Sequence, residues 1–146
     1  SLQAMKKILS IILTSYSLIM PSHASVLFDE QESIPLAKDV FVISQGQASE
    51  SIYISWNIKD GYYMYLDSIK LKDITNNIPF EIVESHQSLF EDEFFGKTEI
   101  LKKNLTLIIN KSDISNSSEL LIYYQGCSED GFCYPVQKEI IINKIL

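Results

Sequence analysis

Two cysteines, Cys127 and Cys133, are the residues of this sequence whose spacing best suits covalent chemistry. Five residues separate them, with the turn-forming pair Asp130-Gly131 in the middle. We therefore expect the cysteines to face each other across the base of a hairpin and to close a disulfide. A closed loop of about seven residues stabilises a fold by only about 2.4 kcal/mol. The pair can thus be a redox-active disulfide, a structural staple or a metal-binding pair, and spacing alone leaves all three open.

The acidic loop between the cysteines limits how they can react. Glu129 and Asp130 lie inside it, and no lysine or histidine lies within four residues of either cysteine. Negative neighbours disfavour the thiolate, which is the reactive form of cysteine. If the pair is reactive, we expect a partner protein to supply much of the activation, so that the site acts as a relay.

Two aromatic segments are candidates for the walls of the same site. Residues 90–97 (FEDEFFGK) place Phe94 and Phe95 between acidic residues and a glycine. Adjacent residues of a strand point to opposite faces, so at most one of the two phenylalanines can fill the core. Residues 60–65 (DGYYMY) form a turn that leads into an aromatic strand. Its tyrosines belong either to the core or to the polar-tipped walls of a site.

Composition and charge argue against several other classes of protein. The 146 residues are 46% hydrophobic and 21% charged, which suits one globular domain. All 12 basic residues are lysines against 19 acidic residues, so the net charge is -7 and no nucleic-acid partner is expected. Cys127, Cys133, Met64 and His86 are soft ligands that suit Cu(I), but no spacing brings His86 near the cysteines. We expect no metal site, and no nucleophile motif accompanies His86 to suggest a hydrolase.

The segments around these residues alternate apolar and polar side chains with the two-residue period of strands. In residues 51–58, Ile52, Ile54, Trp56 and Ile58 share one face. No stretch of ten residues has the period of an amphipathic helix. Seven to nine short strands separated by turn residues predict an all-β fold, an immunoglobulin-like antiparallel β-sandwich. The predicted strands include residues 40–44, 51–58, 62–65, 68–71, 79–83, 105–109, 120–124 and 139–142.

The N-terminus has the pattern of a targeting segment. A basic start is followed by the apolar run 8–20 and by small residues at Ser22 and Ala24, as in a secretory signal peptide. We expect residues 1–24 to be a leader and signal peptide, and residues 25–146 to be the exported domain. The apolar run is shorter than a span of about 20 residues, and no second span follows, so none is expected after signal removal. Export to the periplasm or the exterior favours pairing of the cysteines.

Together the three segments are similar to the N-terminal periplasmic domain of the DsbD family of thiol:disulfide interchange proteins. DGYYMY, EDEFFGK and YYQGCSEDGFCYP occur in that family's order and spacing, and the cysteine motif is the specific one. The resemblance implies an immunoglobulin-like sandwich that is a protein-disulfide reductase acting as a relay. Its implied donor is a thioredoxin-like domain, and its implied acceptors are periplasmic disulfide isomerases and thioredoxin-like proteins of cytochrome c maturation. No cofactor beyond the redox-active disulfide is implied.

The resemblance also implies a role for each site residue. Cys127 and Cys133 match the exchanging pair, and Cys133 matches the cysteine that forms mixed disulfides with partners. Phe94 matches the aromatic residue of a cap loop that shields the disulfide. The remaining matched positions are Asp92, Glu93, Phe95 and Gly96 in the cap loop, and Tyr62, Tyr65, Phe132 and Tyr134 in the site wall.

Two alternatives accompany this prediction. The family proteins continue into a membrane-embedded domain and a thioredoxin-like domain, so the electron donor belongs either to a longer form of this protein or to a separate chain. The second alternative is an exported immunoglobulin-like binding module with a purely structural hairpin disulfide. The reduction potential of the pair distinguishes this module from a relay.

Overall fold

The computed structural model describes residues 33–74, 76–93, 95–115 and 119–142. The chain divides into a first unit, Ser1–Ile34, and a second unit, Pro35–Leu146, which carries the described strands. The predicted signal peptide, residues 1–24, lies outside the described residues. Within the described ranges, no helix has the length and apolarity that a membrane crossing requires.

Antiparallel strands make up most of the second unit. In its described part, a short helix α1 (Ala37–Val40) precedes nine strands, and 3-10 turns cover Leu66–Ser68 and Lys111–Asp113. The strands are β1 (Phe41–Gln47), β2 (Ser51–Ile58), β3 (Tyr62–Tyr65), β4 (Lys70–Lys72), β5 (Glu81–Asp92), β6 (Gly96–Asn110), β7 (Glu119–Tyr124), β8 (Gly126–Ser128) and β9 (Gln137–Ile142).

The strands form two antiparallel sheets. The larger sheet has the order β1-β2-β6-β3-β8, with β5 also paired to β6, and the smaller sheet has the order β4-β7-β9. One buried apolar cluster contains residues from both sheets, such as Ile54 from β2 and Ile122 from β7. At its centre the rings of Trp56 and Tyr124 meet edge to face, with centroids 5.6 Å apart. This arrangement confirms the predicted all-β, immunoglobulin-like sandwich.

The strand pattern differs from the prediction mainly in β5 and β6. The sequence predicts strands at 79–83 and 105–109, whereas β5 has 12 residues and β6 has 15. The middle of β5 is polar and exposed, so it lacks the alternating apolar residues that predict a strand. Pairing with β6 holds this segment extended. The two long strands therefore bring Glu93, which follows β5, to the edge of the cysteine hairpin.

The cysteine hairpin begins at Gly126, which packs directly against the main core. A Cβ atom on Gly126 would lie 2.3 Å from Cζ of Phe41 and 2.6 Å from the carbonyl oxygen of Tyr63. Phe41 is buried, and the Tyr63 carbonyl belongs to the strand that pairs with β8. Only glycine therefore lets β8 approach the core this closely.

We predict that Gly126→Ala destabilises the fold. The added methyl group has no space, so the free energy of unfolding should fall by about 1–3 kcal/mol. Urea unfolding measures this change. Gly46→Ala is the control, because nothing lies within 4 Å of its Cβ position. Equal stability of the two variants would contradict the close packing at Gly126.

Candidate redox site

Cys127 and Cys133 form a disulfide across the base of a tight hairpin. The two residues are antiparallel bridge partners, and their Cα atoms lie 4.0 Å apart. The turn between them contains Gly131 with a φ of 103°, a left-handed conformation that favours glycine. The predicted turn and the predicted disulfide are both confirmed.

Backbone hydrogen bonds flank the disulfide on both sides. The amide of Ser128 donates to the carbonyl of Phe132 at 2.8 Å, and the amide of Tyr134 donates to the carbonyl of Gly126 at 3.0 Å. The cysteines between them form a non-hydrogen-bonded pair, the position at which opposing side chains approach most closely. The hairpin backbone therefore brings the two sulfurs together through bonds that do not involve sulfur.

The two sulfurs have unequal environments. Cys127 is fully buried, and it clusters with Tyr63, Tyr65 and Ile100. Cys133 packs against the same cluster but keeps part of its surface exposed. The hairpin therefore carries one cysteine that is shielded from solvent and one that is partly accessible.

Tyr65 is the polar group beside both sulfurs. Its Oη lies 3.1 Å from Sγ of Cys127 and 3.7 Å from Sγ of Cys133. Its hydroxyl donates to Oδ2 of Asp92. Because the one hydroxyl proton is used there, the lone pairs of Oη face the disulfide.

Asp92 connects the cap loop to Tyr63 and Tyr65, whose rings form the floor of the site. Asp92 is only 4% exposed, and its carboxylate accepts a second hydrogen bond, from Tyr63 at 2.7 Å. The amide of Phe95 donates to its other oxygen, Oδ1, at 3.2 Å. Burial and, after it, the hydrogen bond to Asp92 raise the pKa of Tyr63 to about 12. Burial, followed by the same carboxylate, also raises the pKa of Tyr65, so both phenols remain proton donors at neutral pH.

The cap loop lies between β5 and β6 and over this floor. Asp92 pairs with Gly96, whose φ of 72° closes the tight connection. The ring of Phe95 meets that of Tyr65 edge to face, with centroids 4.8 Å apart, although Phe95 is 58% exposed. Oε1 of Glu93 lies 3.8 Å from the Cβ position of Gly131 in the cysteine hairpin. Phe94, the predicted lid, lies outside the described residues.

The other predicted wall residues, Tyr62, Phe132 and Tyr134, lie away from the cluster around Cys127. Tyr62 packs against Tyr134, with ring centroids 6.3 Å apart, and Phe132 packs against Tyr134 at 5.2 Å. All three contact the main core and not the cluster of Tyr63, Tyr65, Ile100 and Cys127. Tyr63, which the sequence analysis did not single out, contributes to the floor of the site instead. Its two-residue spacing from Tyr65 places both rings on one face, a signal that the sequence contains.

In the copper-binding alternative, Met64 and His86 would have to lie beside the two cysteines, and the structure does not bring them there. Met64 is buried in the main core, on the face of β3 opposite Tyr65. His86 is exposed on β5, where its Nδ1 lies 2.7 Å from Oδ1 of Asn104. Neither residue belongs to the cluster around the disulfide.

Comparison with known proteins agrees with this geometry. The family model for "Thiol:disulfide interchange protein DsbD, N-terminal" matches residues 31–144. The DsbD protein of Pasteurella multocida is 32% identical over 118 residues, which cover 79% of this chain. The same match covers 20% of the relative, so the chain spans about a fifth of the length of that curated protein.

Two solved structures from Neisseria meningitidis have a similar fold. The N-terminal domain of DsbD in the reduced form matches with a TM-score of 0.63 and 25% identity, over 75% of this chain and 88% of that one. A complex between the N-terminal domains of DsbD and PilB matches with a TM-score of 0.57 and 24% identity, over 76% of this chain and 87% of that one. Because the family model matches residues 31–144, which include the disulfide-bonded cysteine hairpin, this chain belongs to the family of DsbD N-terminal domains.

Proposed function

We propose that this chain is a periplasmic thiol:disulfide interchange domain that relays electrons through Cys127 and Cys133. The proposal depends chiefly on the unequal environments of the two sulfurs. Cys127 is fully buried, with its Sγ beside the Tyr65 hydroxyl, whereas Cys133 is partly exposed. A purely structural disulfide has no need of this difference, whereas exchange requires one sulfur that partners can reach and one that resolves the mixed disulfide.

The partners of the relay are proposed from family membership. The donor is a thioredoxin-like domain, either in a longer form of this protein or on a separate chain. The acceptors are oxidised periplasmic proteins, namely disulfide isomerases and thioredoxin-like proteins of cytochrome c maturation. A DsbD N-terminal domain from N. meningitidis has been solved in complex with a PilB N-terminal domain, which supports a protein partner for this chain as well.

The exchange has two steps. In the reduced domain, the Cys133 thiolate attacks one sulfur of the partner's disulfide, forms a mixed disulfide and releases the partner's other sulfur as a thiolate. Cys127 then loses its proton and attacks Sγ of Cys133, which breaks the mixed disulfide and forms the Cys127–Cys133 bond. The partner leaves as a dithiol with the two electrons and two protons that this domain has lost.

The hydrogen bond from Tyr65 to Asp92 keeps the reduced pair unreactive between encounters. A Cys127 thiol can donate its proton to Oη of Tyr65, 3.1 Å away, whereas a thiolate would face the lone pairs of that oxygen. The buried charge of Asp92 further disfavours the thiolate. Because oxidants react with the thiolate, this environment protects the reduced form in an oxidising compartment.

The reduction potential of the Cys127–Cys133 pair tests the proposal. We expect a value of about -200 to -270 mV, within reach of thioredoxin-like partners. Purified protein is equilibrated against glutathione or dithiothreitol buffers, and free thiols are trapped at each ratio. A disulfide that stays oxidised well below about -300 mV would instead identify a structural staple and a binding module.

We predict that Asp92→Asn shifts thiolate formation in the reduced protein to lower pH, by about one unit. The substitution removes the buried negative charge that disfavours the thiolate. Ultraviolet absorbance of the thiolate against pH measures the shift. Glu91→Gln, an equal charge change at an exposed neighbour, is the control. An unchanged titration in Asp92→Asn would refute the role assigned to Asp92.

A third prediction concerns the cap loop, which has to move when a partner docks. Because Phe94→Ala removes the proposed aromatic shield, a small oxidant should oxidise the reduced pair several-fold faster. The free energy of unfolding should stay the same. Stopped-flow loss of free thiols gives the rate. Leu89→Ala is the control, since Leu89 lies on β5, the strand before the cap loop, and is 77% exposed. If both variants react at the wild-type rate, Phe94 is not the lid.

A further inference from the structure

Gln125 is a residue of the cysteine motif to which neither the family resemblance nor the exchange mechanism gives a role. It lies between β7 and β8, one residue before the cysteine hairpin, and is half-buried. Its backbone amide donates to Oγ of Ser68 at 2.9 Å. Its carbonyl accepts from the amide of Tyr65 at 3.0 Å. These two bonds fix the start of the hairpin to the end of β3, the strand that carries Tyr65.

The side chain of Gln125 reaches the other arm of the hairpin. Its Nε2 donates to the carbonyl of Tyr134 at 3.1 Å. Only the amide nitrogen can donate to a carbonyl, so this contact fixes the orientation of the side chain. Tyr134 directly follows Cys133, and Gln125 stands two residues before Cys127. One residue therefore ties the outer ends of the two arms together.

We propose that Gln125 is a positioning residue that keeps the hairpin closed when the disulfide is reduced. Neither the bond from Gln125 to Tyr134 nor the two backbone bonds beside the cysteines involve a sulfur atom. They can therefore persist in the dithiol form and hold both thiols within bonding distance. This inference deepens the proposed function and rests on it, because it concerns how strongly the pair acts as a reductant.

The consequence is thermodynamic. The pair forms its disulfide by giving two electrons and two protons to an oxidised partner, and only the closed hairpin can do so. The equilibrium constant for forming the disulfide is therefore proportional to the fraction of the dithiol that is closed. In the oxidised protein the covalent bond holds the arms together, whereas in the reduced protein Gln125 carries more of that constraint. Loss of the Gln125 contact should thus make the domain a weaker reductant.

Gln125→Met tests this role, because methionine has a similar length but no donor for the Tyr134 carbonyl. Gln125 borders an open cavity of about 380 Å³, which leaves space for the new side chain. We expect the equilibrium constant for disulfide formation against dithiothreitol to fall about tenfold, which is about 30 mV for a two-electron couple. The control is Gln137→Met, which removes a similar amide-to-carbonyl bond, to Pro135 at 2.6 Å, outside the hairpin.

An unchanged equilibrium in Gln125→Met, or an equal change in Gln137→Met, would overturn the role of Gln125. Hydrogen exchange of the Tyr134 amide in the reduced wild-type protein gives an answer even if Gln125→Met does not fold. Protection close to that of the oxidised protein supports a closed dithiol, and loss of protection on reduction overturns it. These outcomes are distinct from failure of the relay itself, which shows in the wild-type potential.

Discussion

The hydrogen bonds that Tyr63 and Tyr65 donate to the buried carboxylate of Asp92 are the interaction on which the site depends. Asp92 is only 4% exposed. A buried carboxylate is costly without hydrogen-bond donors, so the two phenols and the loop have to stay in place together. Asp92 is the last residue of β5 and the first position of the cap loop. Its oxygens therefore fix the loop over the same rings that contact the disulfide.

This constraint links the site to the core through one short strand. β3 has four residues that alternate between two clusters: Tyr62 and Met64 contact the main core, and Tyr63 and Tyr65 belong to the cluster that contains Cys127. A shift of one residue in its pairing with β8 would exchange the two faces and put Met64 or Leu66 in the place of Tyr65 beside Cys127. The packing that stabilises the sandwich is thus what places the phenol oxygen near sulfur.

Much of this could be predicted from the sequence, and the rest depends on contacts between distant segments. The cysteine spacing and the Asp130-Gly131 turn are local signals, and both predict the hairpin that forms. Which tyrosines face the disulfide depends on the register in which β3 pairs with β8, so Tyr62 was expected where Tyr63 lies. The length of β5 depends on pairing with β6, since its own residues are polar and exposed.

The same contacts bear on whether the disulfide is structural or reactive. The hairpin already has two backbone bonds beside the cysteines, a glycine turn, pairing with β3 and the Gln125 contact to Tyr134. A cross-link over so short a loop adds little constraint to a chain that is held in this way. The closed geometry does lower the entropy lost when the two thiols join, which favours electron transfer to a partner. An arrangement that gains little stability from its disulfide, and that readily re-forms it, suits a carrier better than a staple.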